Sequence, residues 1–220
     1  MRWIFFASIC YNFEEDNESF NTIISMEIEK RRNAMRTFIG IDLDEKSIGK
    51  LSSFQEELKN YTIKGRWTHK DNFHITLKFL GEIETESVMK IKDSLEVAVK
   101  DISPFYIKFD KVGFFKGNGD MRVLWVGTEE NSFLNKLHHN IDKELYKIGF
   151  AKDERKFTSH ITIARDIRLN IGIEEVNNLF EKQEKEAILV DTIFLYESVI
   201  QENRRKYIPI FSVPLKSSRS

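Results

Sequence analysis

Two short stretches of this chain combine residue types that could move protons. The first is His74-Ile75-Thr76-Leu77-Lys78-Phe79, and the second is His160-Ile161-Thr162-Ile163-Ala164-Arg165, 86 positions later. Each lies in a run that alternates like a β-strand, in which residues i and i+2 share a face. Counted that way, Phe73, Ile75, Leu77 and Phe79 take an apolar face in the first copy, while His74, Thr76 and Lys78 take the other. In the second copy Ile161 and Ile163 are apolar, and His160 and Thr162 share the opposite face. Each copy thus presents an imidazole and a hydroxyl together, from a strand whose back is pinned by packing. Rigid support of that kind suits catalytic groups. A single His-x-Thr is ordinarily a half-exposed strand face, because threonine is a common strand residue. Two copies in equivalent places of a repeated pattern are harder to read as packing alone.

The chemistry such a pair offers is specific. Near neutral pH one neutral histidine can take a proton and one charged histidine can give one. In-line displacement at phosphorus needs a base on the entering side and an acid on the leaving side. The hydroxyls of Thr76 and Thr162 could donate to the non-bridging oxygens, and Arg165 could add a fixed charge with a fork of donors. His-x-Thr lacks metal-ligand spacing and no carboxylate cluster accompanies it, so neither a metal nor a cofactor is expected. Phe79 and Arg165 both lie five residues after their histidines, and period-two counting puts both on the core face. For Phe79 that leaves core packing and base stacking open. For Arg165 it conflicts with a place in the cleft unless the strand ends or bulges near Ala164, and we expect that break.

The elements that would hold these groups alternate along the chain. Thr37 to Leu43 reads as a strand. Glu45 to Tyr61 reads as an amphipathic helix capped by Asp44, with Ile48, Leu51, Phe54 and Leu58 on one stripe. Arg66 to Thr68 is a short strand, and Asn72 to Leu80 is the first motif strand. Thr85 to Val99 is a helix, and Phe105 to Phe115 is one or two strands closed by a turn over Lys116 to Asp120. The order then repeats. Arg122 to Gly127 is a strand, Ser132 to Ile148 a helix stopped by Gly149, Phe157 to Ala164 the second motif strand and Ile173 to Lys182 a helix. Ala187 to Val199 and Lys206 to Val213 complete the sheet. This internal duplication predicts an α+β fold of two pseudo-two-fold related lobes, with antiparallel sheets forming a central cleft and helices outside.

Bulk composition narrows the function classes. A chain of 220 residues with 41% hydrophobic and 12% aromatic residues can bury a full core. A net charge of -1 argues against a protein that coats long duplex nucleic acid, but not against binding a nucleotide or an RNA end. Cys10 is the only cysteine, so an internal disulfide and a four-cysteine zinc site are excluded. Residues 3 to 10 are mostly apolar but too few to span a bilayer, and they run into an acidic cluster without a clear cleavage site. We expect a cytoplasmic monomer without a membrane partner. Residues 1–34, with four positive and six negative charges and no clear period, read as a poorly ordered extension, and residues 35–220 as the folded domain. His69, His138 and His139 read as surface or partly buried groups, and Arg204-Arg205-Lys206 as a solvated hairpin.

The paired His-x-Thr motifs resemble those of the 2H phosphoesterases. The flanking residues resemble the RNA 2′,3′-cyclic phosphodiesterase branch, also called the 2′-5′ RNA ligase family. The matching pieces are Arg36-Thr-Phe-Ile-Gly-Ile-Asp-Leu, Arg66-Trp67, Leu77-Lys-Phe-Leu-Gly-Glu82, Arg122-Val-Leu-Trp-Val-Gly and Leu195-Tyr-Glu-Ser. The resemblance covers residues 35 to about 215 and departs at Ser159, where a proline is usual. It implies metal-independent opening of a 2′,3′-cyclic phosphate to a 2′-phosphomonoester, on RNA 3′ ends or small cyclic nucleotides. In that assignment His160 activates water, His74 protonates the departing 3′ oxygen, Thr76 and Thr162 hold the phosphoryl oxygens, and Arg165 binds phosphate or base. The pseudo-dyad leaves the acid and base labels interchangeable. The alternatives are 2′-5′ end joining in the same site and a non-catalytic RNA-end or nucleotide binding module.

Overall fold

A computed structural model of the chain describes residues 34–117, 121–182 and 187–216. The chain divides into two units, Met1–Ala34 and Met35–Ser220. The extension and Cys10 lie outside the described residues, as does part of the expected turn at Lys116 to Asp120. In chain order the elements are β1 (Ala34–Asp42), α1 (Glu45–Lys59), β2 (Thr62–Trp67), β3 (His74–Glu84), α2 (Ser87–Ala98), β4 (Phe105–Lys116) and β5 (Met121–Thr128). They continue with α3 (Ser132–Lys147), β6 (His160–Leu169), α4 (Ile173–Glu181), β7 (Ala187–Val190), β8 (Thr192–Gln201) and β9 (Arg204–Pro214).

Local chemistry explains the helices. Asp44 caps α1 by accepting from the Ser47 amide at 2.7 Å, and Asn131 caps α3 by accepting from Phe133 and Leu134 at 3.0 Å each. On α3 the stripe Leu134, Leu137, Ile141 and Leu145 is buried. Each such side chain stabilises the fold by about 1.5–3 kcal/mol relative to an exposed position. Gly149 follows at φ 101°, a left-handed stop that a side chain would resist.

The strands run in one path, β7-β4-β5-β6-β3-β1-β8-β9, with β2 added on β6. The two motif strands are central neighbours, paired antiparallel through Ile75 and Ile161. On one side of that seam lie β3, β1, β8 and β9, and on the other β6, β5, β4 and β7. The two lobes are therefore not the two halves of the sequence. Each half sends its last strands across: β4 pairs with β5, and β8 pairs with β1. This crossing also splits the single strand expected over Ala187 to Val199. Residues 187–190 pair with β4 in one lobe, whereas residues from 192 onward pair with β1 and β9 in the other, and the chain changes lobe at Asp191. Helices α2 and α3 pack on each other and on β3, and α1 meets α4, with Phe54 and Phe180 ring centroids 4.9 Å apart.

The alternation of both motif strands breaks at the same place. In β6 Ala164 pairs with Leu124 and Thr162 with Trp125, leaving Ile163 as an extra residue. That is a bulge, and it turns Arg165 outward while Ile163 and Ala164 are both buried. In β3 Leu77 and Lys78 are likewise both buried and Phe79 is exposed. The side-chain count therefore slips by one in each copy. Two readings are corrected as a result. Phe79 does not lie on the core face but is 69% exposed, and Lys78 does not share the working face of His74 and Thr76 but is buried at 3%.

Candidate active site

The histidines are seated alike. His74 donates from Nδ1 to the Asn72 carbonyl at 2.8 Å, and His160 donates from Nδ1 to the Thr158 carbonyl at 2.8 Å. A carbonyl only accepts, so in each neutral ring Nδ1 carries the proton and Nε2 is the basic nitrogen. His74 Nε2 lies 3.0 Å from Thr76 Oγ1. Asn72 is itself held, because its Nδ2 donates to the Arg205 carbonyl at 2.8 Å on the β8–β9 hairpin. Aromatic rings fix both imidazoles in place. Around His74 stand Phe38 at 4.7 Å and Tyr207 edge-on at 4.9 Å; around His160 stand Phe115 edge-on at 5.1 Å and Trp125 at 6.1 Å.

Two glycines make room for this packing. A Cβ on Gly40 of β1 would sit 3.0 Å from the Ile75 carbonyl and 3.6 Å from the His74 ring. A Cβ on Gly113 of β4 would sit 2.3 Å from the Trp125 indole. Tyr196, stacked on Phe38 at 5.2 Å, donates its hydroxyl to Asp42. Burial, then the Asp42 hydrogen bond and charge, raise its pKa above the ordinary phenol value and keep it protonated.

Register brings the four motif side chains together. With Ile75 opposite Ile161, one step either way sets His74 opposite Thr162 and Thr76 opposite His160. The histidines are then diagonal neighbours, with backbones separated by about 7–8 Å. Thr76, Phe79 and His160 line one cavity of about 540 Å³, together with Phe115, Phe157 and the loop residues 152–156. His74 does not line that cavity and borders instead a smaller hollow of about 150 Å³ with Phe38, Asp42, Asp71, Tyr196 and Tyr207. Thr162 is half-buried beside this seam. Arg165 is exposed, and its charge acts on both imidazoles.

These surroundings set the proton affinities. Burial lowers the His74 pKa to about 4, helped by the charges of His160 and Arg165 and opposed by the Asn72 hydrogen bond. His160 is lowered too, first by burial and then by Arg165, against the hydrogen bond to Thr158. Both shifts favour the neutral rings, and a bound anion would raise both.

Several contributors were not singled out from sequence. Gln55, on the buried stripe of α1, donates from Nε2 to the Ile163 carbonyl at 2.7 Å and to the Thr68 carbonyl at 3.0 Å. The carbonyl of the bulged residue also accepts from the Thr68 amide at 3.0 Å, so Gln55 is the second of two donors that hold it. A lone amide on an otherwise apolar stripe was the available signal. Lys78 is buried, with Nζ 2.6 Å from Asp142, 2.9 Å from the Ala151 carbonyl and 3.2 Å from Asp153. His138 leans on the same cluster, 3.3 Å from Asp153 and stacked on Phe157 at 4.2 Å.

The chain matches the family model described as LigT like Phosphoesterase over residues 41–125. It is 30% identical over 167 residues to an RNA 2′,3′-cyclic phosphodiesterase of Archaeoglobus fulgidus, covering 76% of this chain and 92% of that one. The chain belongs to the LigT-like phosphoesterase family. This LigT-like phosphoesterase is also 37% identical over 131 residues to an RNA 2′,3′-cyclic phosphodiesterase of Methanocaldococcus jannaschii, covering 60% of this chain and 71% of that one. Its fold is similar to that of E. coli LigT complexed with 3′-AMP, with a TM-score of 0.65, 23% identity, and coverage of 84% of this chain and 99% of that one. Among the described residues of this LigT-like phosphoesterase, no helix is long and apolar enough to cross a membrane.

Proposed function

We propose that this LigT-like phosphoesterase opens 2′,3′-cyclic phosphate ends of RNA to 2′-phosphomonoesters, with His74 and His160 as the acid/base pair. The observation that carries this reading is the matched seating of the two imidazoles on adjacent antiparallel strands. Each has its Nδ1 proton tied to the carbonyl two residues earlier, which leaves Nε2 as the basic nitrogen, hydrogen-bonded to Thr76 Oγ1 in the case of His74. The names of the relatives, RNA 2′,3′-cyclic phosphodiesterase, support the same substrate class.

In this reading the anionic cyclic phosphate settles between the two strands. Its charge reverses part of the burial effect and draws one proton onto the pair. The neutral histidine, assigned as His160, takes a proton from water as the water oxygen bonds to phosphorus. The bond from phosphorus to the 3′ oxygen breaks, and the charged histidine, assigned as His74, gives that oxygen its proton. The products are a 2′-phosphomonoester and a free 3′ hydroxyl, and the two rings have exchanged protonation states. Thr76 and Thr162 donate to the non-bridging oxygens as charge grows there, and Arg165 stabilises the same oxygens from the turned-out position after the bulge. Among the described residues no group of three His, Cys, Asp or Glu side chains gathers as a metal site, and the reading uses none.

The test is product identity. The protein, dialysed against EDTA, is incubated with cytidine 2′,3′-cyclic phosphate and the products are separated against authentic 2′- and 3′-monophosphates. The expected result is accumulation of the 2′-monophosphate alone. No turnover, or release of the 3′-monophosphate, would overturn the reading.

A further inference from the structure

We infer that the 540 Å³ cavity beside His160 holds the nucleotide that precedes the cyclic end, so that the protein selects an RNA chain over a mononucleotide. This rests on the reading of the site given above and adds to it a second subsite.

The cavity extends from Thr76 and His160 to a wall formed by residues 152–157 of the loop between α3 and β6. The paired histidines and threonines account for one phosphate. The wall carries further cations: Lys152, Arg155 and Lys156 all line the cavity, with Asp153 and Glu154 between them. Lys152 lies over the Tyr146 ring at 4.7 Å, and Asp153 is engaged by Lys78. Among the described residues, Arg155 and Lys156 have no ion-pair partner. In a chain of net charge -1 the excess of Lys152, Arg155 and Lys156 over Asp153 and Glu154 on this wall is a local feature and not a consequence of a basic protein. A second cationic position beyond the first phosphate fits a second phosphate.

Aromatic faces line the same cavity. Phe79 is 69% exposed and Phe115 is 39% exposed, both on the cavity wall. Single exposed phenylalanines are ordinary on a surface. A pair of them interleaved with cations in one groove is the composition that takes single-stranded nucleic acid, with bases on rings and phosphates on cations. The volume also falls within the roughly 300–1,000 Å³ typical of sites that enclose a ligand.

The wall has no helix or strand, yet it is anchored. The ammonium of Lys78, buried at 3%, ties the Ala151 carbonyl and Asp153 to Asp142 on α3, and the Asp153 amide donates to Asp142 at 3.0 Å. Phe157, also on the cavity, is held by stacking on His138. An anchored wall loses less freedom on binding than a slack loop would. The slip in β3 thus has two effects on adjacent residues: it sends Lys78 inward to hold the wall and leaves Phe79 exposed on the same cavity.

The experiment compares kcat/KM for cytidine 2′,3′-cyclic phosphate with that for a trinucleotide ending in the same group, at low and at high salt. The expected result is a preference for the trinucleotide of about tenfold or more at low salt, the size one stacked base contributes, shrinking as salt rises. In Arg155→Ala/Lys156→Ala the ratio of trinucleotide to mononucleotide is expected to fall toward one. Equal kcat/KM for the two substrates in the unaltered protein would overturn the subsite and leave the cyclic phosphodiesterase reading standing. An unchanged ratio in the double variant would do the same. No turnover of either substrate would remove the reading on which the subsite rests.

Discussion

Replacing His160 by alanine is expected to lower kcat for cyclic phosphate opening by about 10²–10⁴-fold, the range that one positioned proton-transfer group supplies. His74→Ala is expected to fall in the same range, because the two rings are held by equivalent bonds on neighbouring strands. The double variant should be little worse than the weaker single one, since acid and base act in one transition state and their losses do not add. His74 is the more deeply packed of the two, against Phe38 and Tyr207, so its variant needs a thermal melt beside the rate. Steady-state rates on a cyclic nucleotide provide the check. A double variant that kept most of its activity would show that proton transfer runs through other groups.

Lys78→Met is expected to destabilise the fold by about 3 kcal/mol, the low end of the range for breaking a buried ion pair. The low end applies because only part of the cluster is sealed: the Asp142 side chain is 16% exposed and that of Asp153 is 40% exposed. Burial works against the Asp142 carboxylate, yet the hydrogen bond and charge of Lys78, with the Asp153 amide, hold it below its usual pKa. Removing the lysine leaves that charge largely buried and unpaired. For a domain of this size the melting temperature should drop on the order of 6–12 °C. Adding Asp142→Leu should recover most of the loss, because an apolar pair no longer leaves an orphan charge. Melts of the single and double variants test this, and a double variant as unstable as the single one would contradict the assigned role.

What the sequence made legible and what it did not divide along physical lines. The motif pair could be read because period two separates His74 and Thr76 from Ile75 and Leu77, and because the pattern occurs twice. The helices could be read from their stripes, and α3 from Leu134, Leu137, Ile141 and Leu145 above all. The bulge near Ala164 was legible only as a conflict: a charged Arg165 on a face counted as core. Its counterpart in β3 raised no such conflict, since Phe79 is content in a core, so Phe79 and Lys78 were counted onto the wrong faces. The exchange of outer strands between lobes leaves no local trace, because β1 pairing with β8 is a contact across more than half the chain. The single strand expected over Ala187 to Val199 broke for that reason. Gln55 and the 152–157 wall act through backbone carbonyls and tertiary contacts, which residue types alone do not announce.

The central claim is that two burial-depressed imidazoles share one proton-transfer cycle, and the pH dependence of kcat/KM tests it most directly, since it reports the free protein. A phosphodiester is anionic throughout the range, so the protein alone sets the profile. Activity should rise as the base loses its proton and fall as the acid loses its own. With His74 held at about 4 and His160 below the ordinary imidazole value of 6.5, both limbs should lie on the acid side of 6.5. These are properties of the coupled pair and not of either ring alone. The profile of kcat should lie at higher pH than that of kcat/KM, because the bound anion favours the charged rings. The expected result is this bell, displaced upward when substrate is bound and stripped of one limb in His160→Ala. A profile that is flat from about pH 4 to 7, or that keeps both limbs in His160→Ala, would contradict it.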